Sequence, residues 1–399
     1  MFRQSLVGRL SFGAVLFASI LLLASPATAS VAVAQDGTGS KQQSEQDTQE
    51  TVAATIEAPS VSEDAGEAPS AEEGAQEAPP AGKFSGLMFG DYYYISTHRR
   101  EELNGQSGFW FRRIYFTYEH KLSDNWDTRF RLEGNSPGRF TVADTIDPFV
   151  KDAYLRWRGD STSIYLGISS PPTWNYVEDF WGYRWLEKTP LDLQRFGSSR
   201  DFGVAVRGSL DSGKKLNYHV MAGNGSGSKS EIGKGKAVYG SLRYDFSENL
   251  SVEGYIDYKN RDRGSKHVTY QGFAAYQSGG TRIGLQYARQ EVDLSEVDGE
   301  DFDMNLLSAF VVQPLNEKLT LVVRADRMFD PNPAGEVIAY LPFASNAKSL
   351  LVLAGVDIDL GFGIHLMPNF EWISYEAVDG GADPDDDLML RGTFYWSWG

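Results

Sequence analysis

Residues 126–133 read WDTRFRLE, directly after Ser123-Asp124-Asn125. Trp126, Thr128, Phe130 and Leu132 alternate with Asp127, Arg129, Arg131 and Glu133, so an extended chain here shows one apolar and one charged face. Leu250 to Lys259 and Leu388 to Trp398 repeat the same period of two. Between Lys83 and Gly399 there is no apolar run of about 18 residues, which excludes membrane-crossing helices but leaves crossing by strands open.

Alternation places sixteen strands near 84–97, 109–122, 126–135, 149–158, 163–169, 201–210, 216–224, 235–246, 250–260, 266–277, 281–292, 302–313, 318–329, 347–359, 362–374 and 387–398. The connections sort by length. Tight turn residues such as Ser123-Asp124-Asn125, Gly159-Asp160, Asp211-Ser212-Gly213 and Gly279-Gly280 follow even strands, and longer segments follow every odd strand. Short turns at one end and long loops at the other predict an all-β fold: a sixteen-stranded antiparallel transmembrane β-barrel in the bacterial outer membrane, with its short turns in the periplasm. Tryptophans at strand ends, Trp126, Trp157, Trp372, Trp396 and Trp398, fit interfacial girdles in contact with outer-membrane lipid.

Upstream, Arg3 and Arg9 precede an apolar run from Leu10 to Ala24 and then Ala27-Thr28-Ala29, the layout of a secretory signal peptide over 1–29. Residues 30–82 are rich in Ala, Glu, Ser and Pro, with EAPS at Glu57 and Glu67 and EAPP at Glu77. Such a composition buries too little to offset the entropy of ordering, so a disordered periplasmic tether is expected. Residues 83–399 form the barrel domain. The chain has no cysteine and a net charge of −17, of which −10 lies in the tether and −9 from Lys83 onward, the leader being positive. That acidity argues against nucleic acid as a partner.

The segment SSPPTWNYVEDFWGYRWLEKTPLDLQRFGSSRD, 169–201, follows the fifth strand and is too aromatic for a solvated loop. A barrel of sixteen strands encloses a lumen wide enough for it to fold inward. Its aromatic side then packs on the wall, while Glu178, Asp179, Arg184, Glu187, Lys188, Asp192 and Arg195 offer charge to the channel as a constriction. Inward-phase residues on strands two to six are mainly basic: Arg113, Lys121, Arg129, Arg131, Arg156, Arg158 and Arg207. Those on strands nine and thirteen to fifteen are acidic, including Glu253, Asp257, Asp326, Asp357 and Glu371, so a transverse field across the lumen is expected. The arginines form a track for small anions or, alternatively, pair with Asp127, Glu133 and Asp152 beside them.

FRRIYFTYEHKLSDNWDTRFRLEG at 111–134, and FGVAVRGSL at 202–210 followed by LNYHVMAGNGSG at 216–227, resemble the phosphate-selective porin O and P family. The resemblance implies a homotrimeric diffusion porin with an inward third loop and an arginine-lined path for anions such as phosphate. It implies no enzymatic activity and no cofactor. Two other readings are a non-conducting adhesin or structural barrel, and a barrel hydrolase, for which no Ser-His-Asp set is apparent from position. The five histidines are scattered without metal-ligand spacing, and the acidic stretches Asp298–Asp303 and Asp379–Asp387 read as solvated loop tips.

Overall fold

The computed structural model describes residues 82–399 except 144, 231–232, 261–263, 298 and 379; the expected leader and the tether up to residue 81 lie outside the described residues. Sixteen strands close into one antiparallel barrel in which β1 pairs with β16. They are β1 (Lys83–Thr97), β2 (Ser107–Lys121), β3 (Trp126–Gly134), β4 (Phe149–Arg158), β5 (Thr162–Ser169), β6 (Asp201–Ser209), β7 (Leu216–Gly223) and β8 (Lys236–Asp245). The second half is β9 (Leu250–Asn260), β10 (Lys266–Ser278), β11 (Thr281–Asp293), β12 (Phe302–Pro314), β13 (Leu319–Met328), β14 (Ala347–Gly361), β15 (Ile364–Ala377) and β16 (Asp387–Trp398). Two short helices, α1 (Asn175–Trp181) and α2 (Pro190–Leu193), lie in the loop between β5 and β6.

Closure leaves no unpaired sheet edge, which satisfies the main chain of every strand without water. Each side-chain period then separates an inside from an outside. On β9, Leu250, Val252, Ile256 and Tyr258 are exposed, whereas Ser251, Glu253, Tyr255, Asp257 and Lys259 are buried within the barrel. The exposed set continues around the outer surface through Phe116, Phe130, Leu166, Val204, Val238, Leu285, Val311, Val323, Leu366 and Leu390. A continuous apolar exterior of this extent is incompatible with water and is what lipid requires.

The hairpins confirm that turn chemistry sets the register. Gly279 and Gly280 both have positive φ, 56° and 85°, and join Ser278 to its partner Thr281 in a two-residue turn of the kind that matches strand twist. One expectation fails at the opposite end. The connection after β9 comprises only residues 261–265, because β9 and β10 stay paired out to Asn260 and Lys266.

The inside is not uniformly polar. Phe273, Ala288, Leu306, Phe310, Val322, Leu351, Leu353, Met367 and Ile373, from β10 to β15, point inward and are buried. They meet Trp174, Val177, Phe180, Trp181, Leu186, Leu191, Leu193 and Phe196 of the 169–201 loop, so one half of the lumen is filled by a hydrophobic core. Trp181 sits edge-on to Phe310 at 4.9 Å and Phe180 edge-on to Phe273 at 5.9 Å. A second segment, 330–346, also turns in: Ile338, Tyr340, Leu341 and Phe343 are buried, and Tyr340 lies edge-on to Trp110 of β2 at 5.0 Å.

The lipid assignment has a measurable consequence. Leu285, 52 % exposed near the middle of β11, is expected to cost about 2–4 kcal/mol on change to arginine when the protein is folded into vesicles and unfolded by denaturant. A loss below about 0.5 kcal/mol, the ordinary tolerance of a water-facing position, would refute a hydrocarbon-facing wall.

Candidate functional site

A loop folded into a barrel carries its backbone carbonyls with it, and each needs a donor. The wall and the 330–346 segment supply donors. Arg112 of β2 donates to the Trp185 carbonyl and, at 2.7 Å, to that of Leu186. Arg324 of β13 reaches the Lys188 carbonyl at 2.7 Å, Arg282 of β11 that of Trp181 at 3.2 Å, and Asn332 that of Gln194 at 2.9 Å. Lys259 and Gln290 share the Phe196 carbonyl at 3.1 and 2.7 Å.

At the centre of these anchors is Glu187, which is 2 % exposed. Its Oε2 lies 3.1 Å from Arg112 Nη1 and 3.2 Å from Arg391 Nη1 of β16, and its Oε1 accepts the Lys188 amide at 2.8 Å. Arg112 is held in turn by Asp91 at 2.9 Å and Arg391 by Glu371 at 2.8 Å. Burial by itself would raise the Glu187 carboxyl, but Arg112 and Arg391 outweigh it and hold the group well below the usual carboxylate range. Glu187 was expected to face the channel; it is the loop's anchor instead.

The open side of the loop faces β2–β6. There Glu178 and Asp192 flank Arg184 at 3.3 and 3.1 Å, and Lys188 lies half-buried within the field of Arg113 and Arg184. Asp179 is exposed on α1. Arg195 departs from this group: it is exposed, has a φ of 62°, and its guanidinium extends 3.4 Å to the Val337 carbonyl in the 330–346 segment.

Opposite the loop, Arg113, Arg129, Arg131, Arg156, Arg158 and Arg207 all project from the inner wall. Five of them pair with carboxylates: Arg113 with Glu133 at 2.8 Å, Arg129 with Glu119 at 2.9 Å, Arg131 with Asp152 at 3.5 Å, and Arg156 and Arg158 with Asp127 at 2.8 and 2.7 Å. Pairing does not cancel the charge. Lys151 also binds Glu133, at 2.9 Å, and Arg200 also binds Asp152, so seven cations share four carboxylates. Arg207 forms no ion pair with a carboxylate among the described residues; it donates to the Ser170 carbonyl at 2.9 Å and lies over the Tyr165 ring at 4.5 Å.

Two inward cations, Arg112 of the anchor and Lys151 of the basic wall, come from irregularities that strict alternation cannot reveal. In β2 the partners of Phe89 and Gly90 are Arg113 and Phe111, leaving Arg112 as an extra residue. In β4 the partners of Arg131 and Leu132 are Asp152 and Val150, leaving Lys151 over. Each is a β-bulge, and each turns two consecutive charged residues to the inside. Consecutive charges inside an alternating strand, Arg112-Arg113 and Lys151-Asp152, were the available signal.

Most of the expected acidic wall is spent on structure, Glu253 excepted. Asp326 binds Arg324 at 2.7 Å, Asp257 binds Lys259 at 2.7 Å, Glu371 binds Arg391, and Asp357 accepts the Tyr183 hydroxyl at 3.0 Å. The loop covers these groups, so the channel side of the lumen is flanked mainly by cations. Asp387, grouped by sequence with a loop tip, is buried and binds Arg99 at 2.5 Å. His365 pairs with Asp357 at 2.9 Å and His219 accepts from Arg207 at 3.2 Å; neither is hydrogen-bonded to a serine among the described residues.

No family model matches the chain, and no curated protein sequence matches it. Solved structures do. An anion-selective porin from Comamonas acidovorans superposes with a TM-score of 0.58 at 12 % identity, over 80 % of this chain and 99 % of that one. OmpT, an outer membrane protein of Vibrio cholerae in a trimer form, gives 0.54 at 13 % identity, over 80 % and 99 %. The outer membrane channel DcaP of Acinetobacter baumannii gives 0.55 at 14 % identity, over 81 % and 99 %. At these identities the likeness is one of fold.

Removing the anchor should free the loop. Glu187→Ala leaves Arg112 and Arg391 facing each other without their shared counter-charge, a loss of about 3–5 kcal/mol for a broken buried pair, read by denaturant unfolding in vesicles. Limited proteolysis should then cut within 186–195, and an unchanged cleavage pattern and stability would remove Glu187 from the anchoring role.

Proposed function

We propose that the chain is an outer-membrane diffusion porin for small hydrophilic solutes, with a weak preference for anions, phosphate among them. The observation that carries this reading is the excess of guanidinium and ammonium groups over carboxylates on β2–β6, opposite the open side of a loop that narrows the lumen. Arg113, Arg129, Arg131, Arg156, Arg158 and Arg207 line the path on this reading. Glu178, Asp179, Arg184, Lys188 and Asp192 form its facing side, and Arg195 braces the loop at the mouth.

A hydrated anion passing the narrow zone exchanges part of its water for the charged wall, and a pair-sharing arginine has donors to spare. Guanidinium offers five N–H groups, of which one carboxylate takes two. Field at a narrow, low-dielectric point outweighs the same charge at a wide, screened mouth, which is why the acidic surface total does not set the sign. The structural neighbours support the reading: one is named an anion-selective porin and another is named an outer membrane channel. The trimer form of the Vibrio cholerae protein supports a homotrimer here. The apolar exterior supports outer-membrane lipid as the surrounding partner, and the channel reading leaves no role for enzymatic chemistry.

Two measurements in planar bilayers test it. Reversal potential in a potassium chloride gradient should show chloride favoured, and replacing Arg129, Arg131, Arg156 and Arg158 with alanine should move it toward potassium; a wild-type preference for potassium that the substitutions leave unchanged would end the anion reading. The second uses pH. Burial depresses the Lys188 ammonium to about 8, so it is charged at pH 7 and mostly neutral at pH 9. Anion preference should therefore fall over that interval, and Lys188→Arg, charged throughout, should flatten the part of the profile that Lys188 contributes.

A further inference from the structure

At the end of the lumen that carries the short turns, α1 and the inner wall of β6–β9 enclose a cleft of about 400 Å³, lined by Asn175, Asp179, Arg207, His219, Arg243 and Glu253 among others. Its charges are mismatched. Arg243 and Glu253 are direct cross-strand partners in β8 and β9, a placement that ordinarily gives an ion pair. They do not form one. Arg243 turns to Asp245, 3.1 Å away, and its guanidinium lies over the Tyr176 ring of α1 at 4.5 Å. Glu253 is left only 4 % exposed with Oε1 lacking any hydrogen-bond partner.

Asp179, exposed on α1, makes no ion pair among the described residues and lies within the field of Arg207 and Arg243. Arg207, across the cleft wall, forms no ion pair with a carboxylate among the described residues and feels Asp179 only at a distance. Around α1 the cleft thus holds two carboxylates, Asp179 and Glu253, and one guanidinium, Arg207, that make no ion pair among the described residues, while Asp160 and Lys214 also line it. An unpaired buried charge is costly, and a cleft with both signs unpaired is completed by a ligand bearing both. Of these three groups, an inorganic anion answers only Arg207, and a metal ion answers only the carboxylates.

We propose that this cleft is a low-affinity binding site for small zwitterions of the amino-acid class, whose ammonium group is taken between Asp179 and Glu253 and whose carboxylate is taken by Arg207. The inference rests on the channel reading for its biological sense: a solute held here has already passed, or is about to enter, the narrow zone. The affinity belongs in the millimolar range, since the site is open and the ligand has few atoms.

L-alanine is the probe, with sodium acetate and methylammonium chloride as half-ligands. Added at the short-turn side of single channels in a planar bilayer, L-alanine should reduce the mean current with a saturating dependence on concentration, and neither half-ligand should saturate over the same range. Glu253→Gln should raise the half-saturating concentration tenfold or more. Asp179→Asn, on the exposed face of α1, serves as the second variant if the first does not fold. Titration calorimetry of L-alanine into detergent-solubilised protein reads the site without conductance. Channels that conduct while L-alanine binds in neither assay would overturn the site and leave the porin reading intact. Binding by protein that never conducts would do the reverse. Equal saturation by acetate, or by methylammonium, would overturn it in favour of a simple ion site.

Discussion

The buried contact of Glu187 with Arg112 and Arg391 is the constraint on which the interior depends. A barrel of sixteen strands is held together by its own ladder, and the ladder says nothing about how wide the opening is. The loop from 169 to 201 sets that width, and it must enter a space where water is partly displaced. Hydrophobic packing of Trp181 and Phe180 on Phe310 and Phe273 supplies a non-directional pull toward one half of the wall. The two guanidiniums supply direction, because they fix one carboxylate from strands that meet across the closure of the barrel, β2 and β16 on either side of β1.

The chain is acidic overall, whereas the inner wall of β2–β6 and Arg200 beside it carry more cations than carboxylates. Acidic groups opposite the basic wall are consumed by Arg324, Lys259, Arg391 and Tyr183 in fixing the loop and its supports. The bulge at Lys151 adds a cation to the basic side without lengthening its strand, and the bulge at Arg112 supplies the loop's anchor while leaving Arg113 to the basic side. Net charge is a property of the whole surface; the field on a passing ion is a property of a few ångströms.

Much of this was legible in the sequence. All sixteen strands were, to within three residues at each end, because lipid on one side and water or packed loop on the other enforce a period of two along every crossing segment. The inward loop was legible from its aromatic content. What alternation could not show was Arg112, Lys151 and Arg200, two of them set by local slips of register and one lying just outside β6. Nor could it tell an inward acid that faces the channel from one that is covered, as with Asp326 and Asp357. That distinction depends on which half of the wall the loop occupies, a long-range choice with no local signature. The 330–346 segment was read only as long; Tyr340 to Ala344, YLPFA, is the apolar run that takes it inside.

The anchoring donors address main-chain oxygens at Trp181, Trp185, Leu186, Lys188, Gln194 and Phe196. Every amino acid carries a carbonyl, so at Lys188 the bond that holds the loop is indifferent to the side chain turned to the open side. Anchorage and the charge offered to the open side are thereby written in separate parts of the same residue. A scaffold of this kind tolerates revision of its gate: the ionic character of the opening can drift or be redesigned one side chain at a time, while the path of the chain through the barrel stays where the wall holds it.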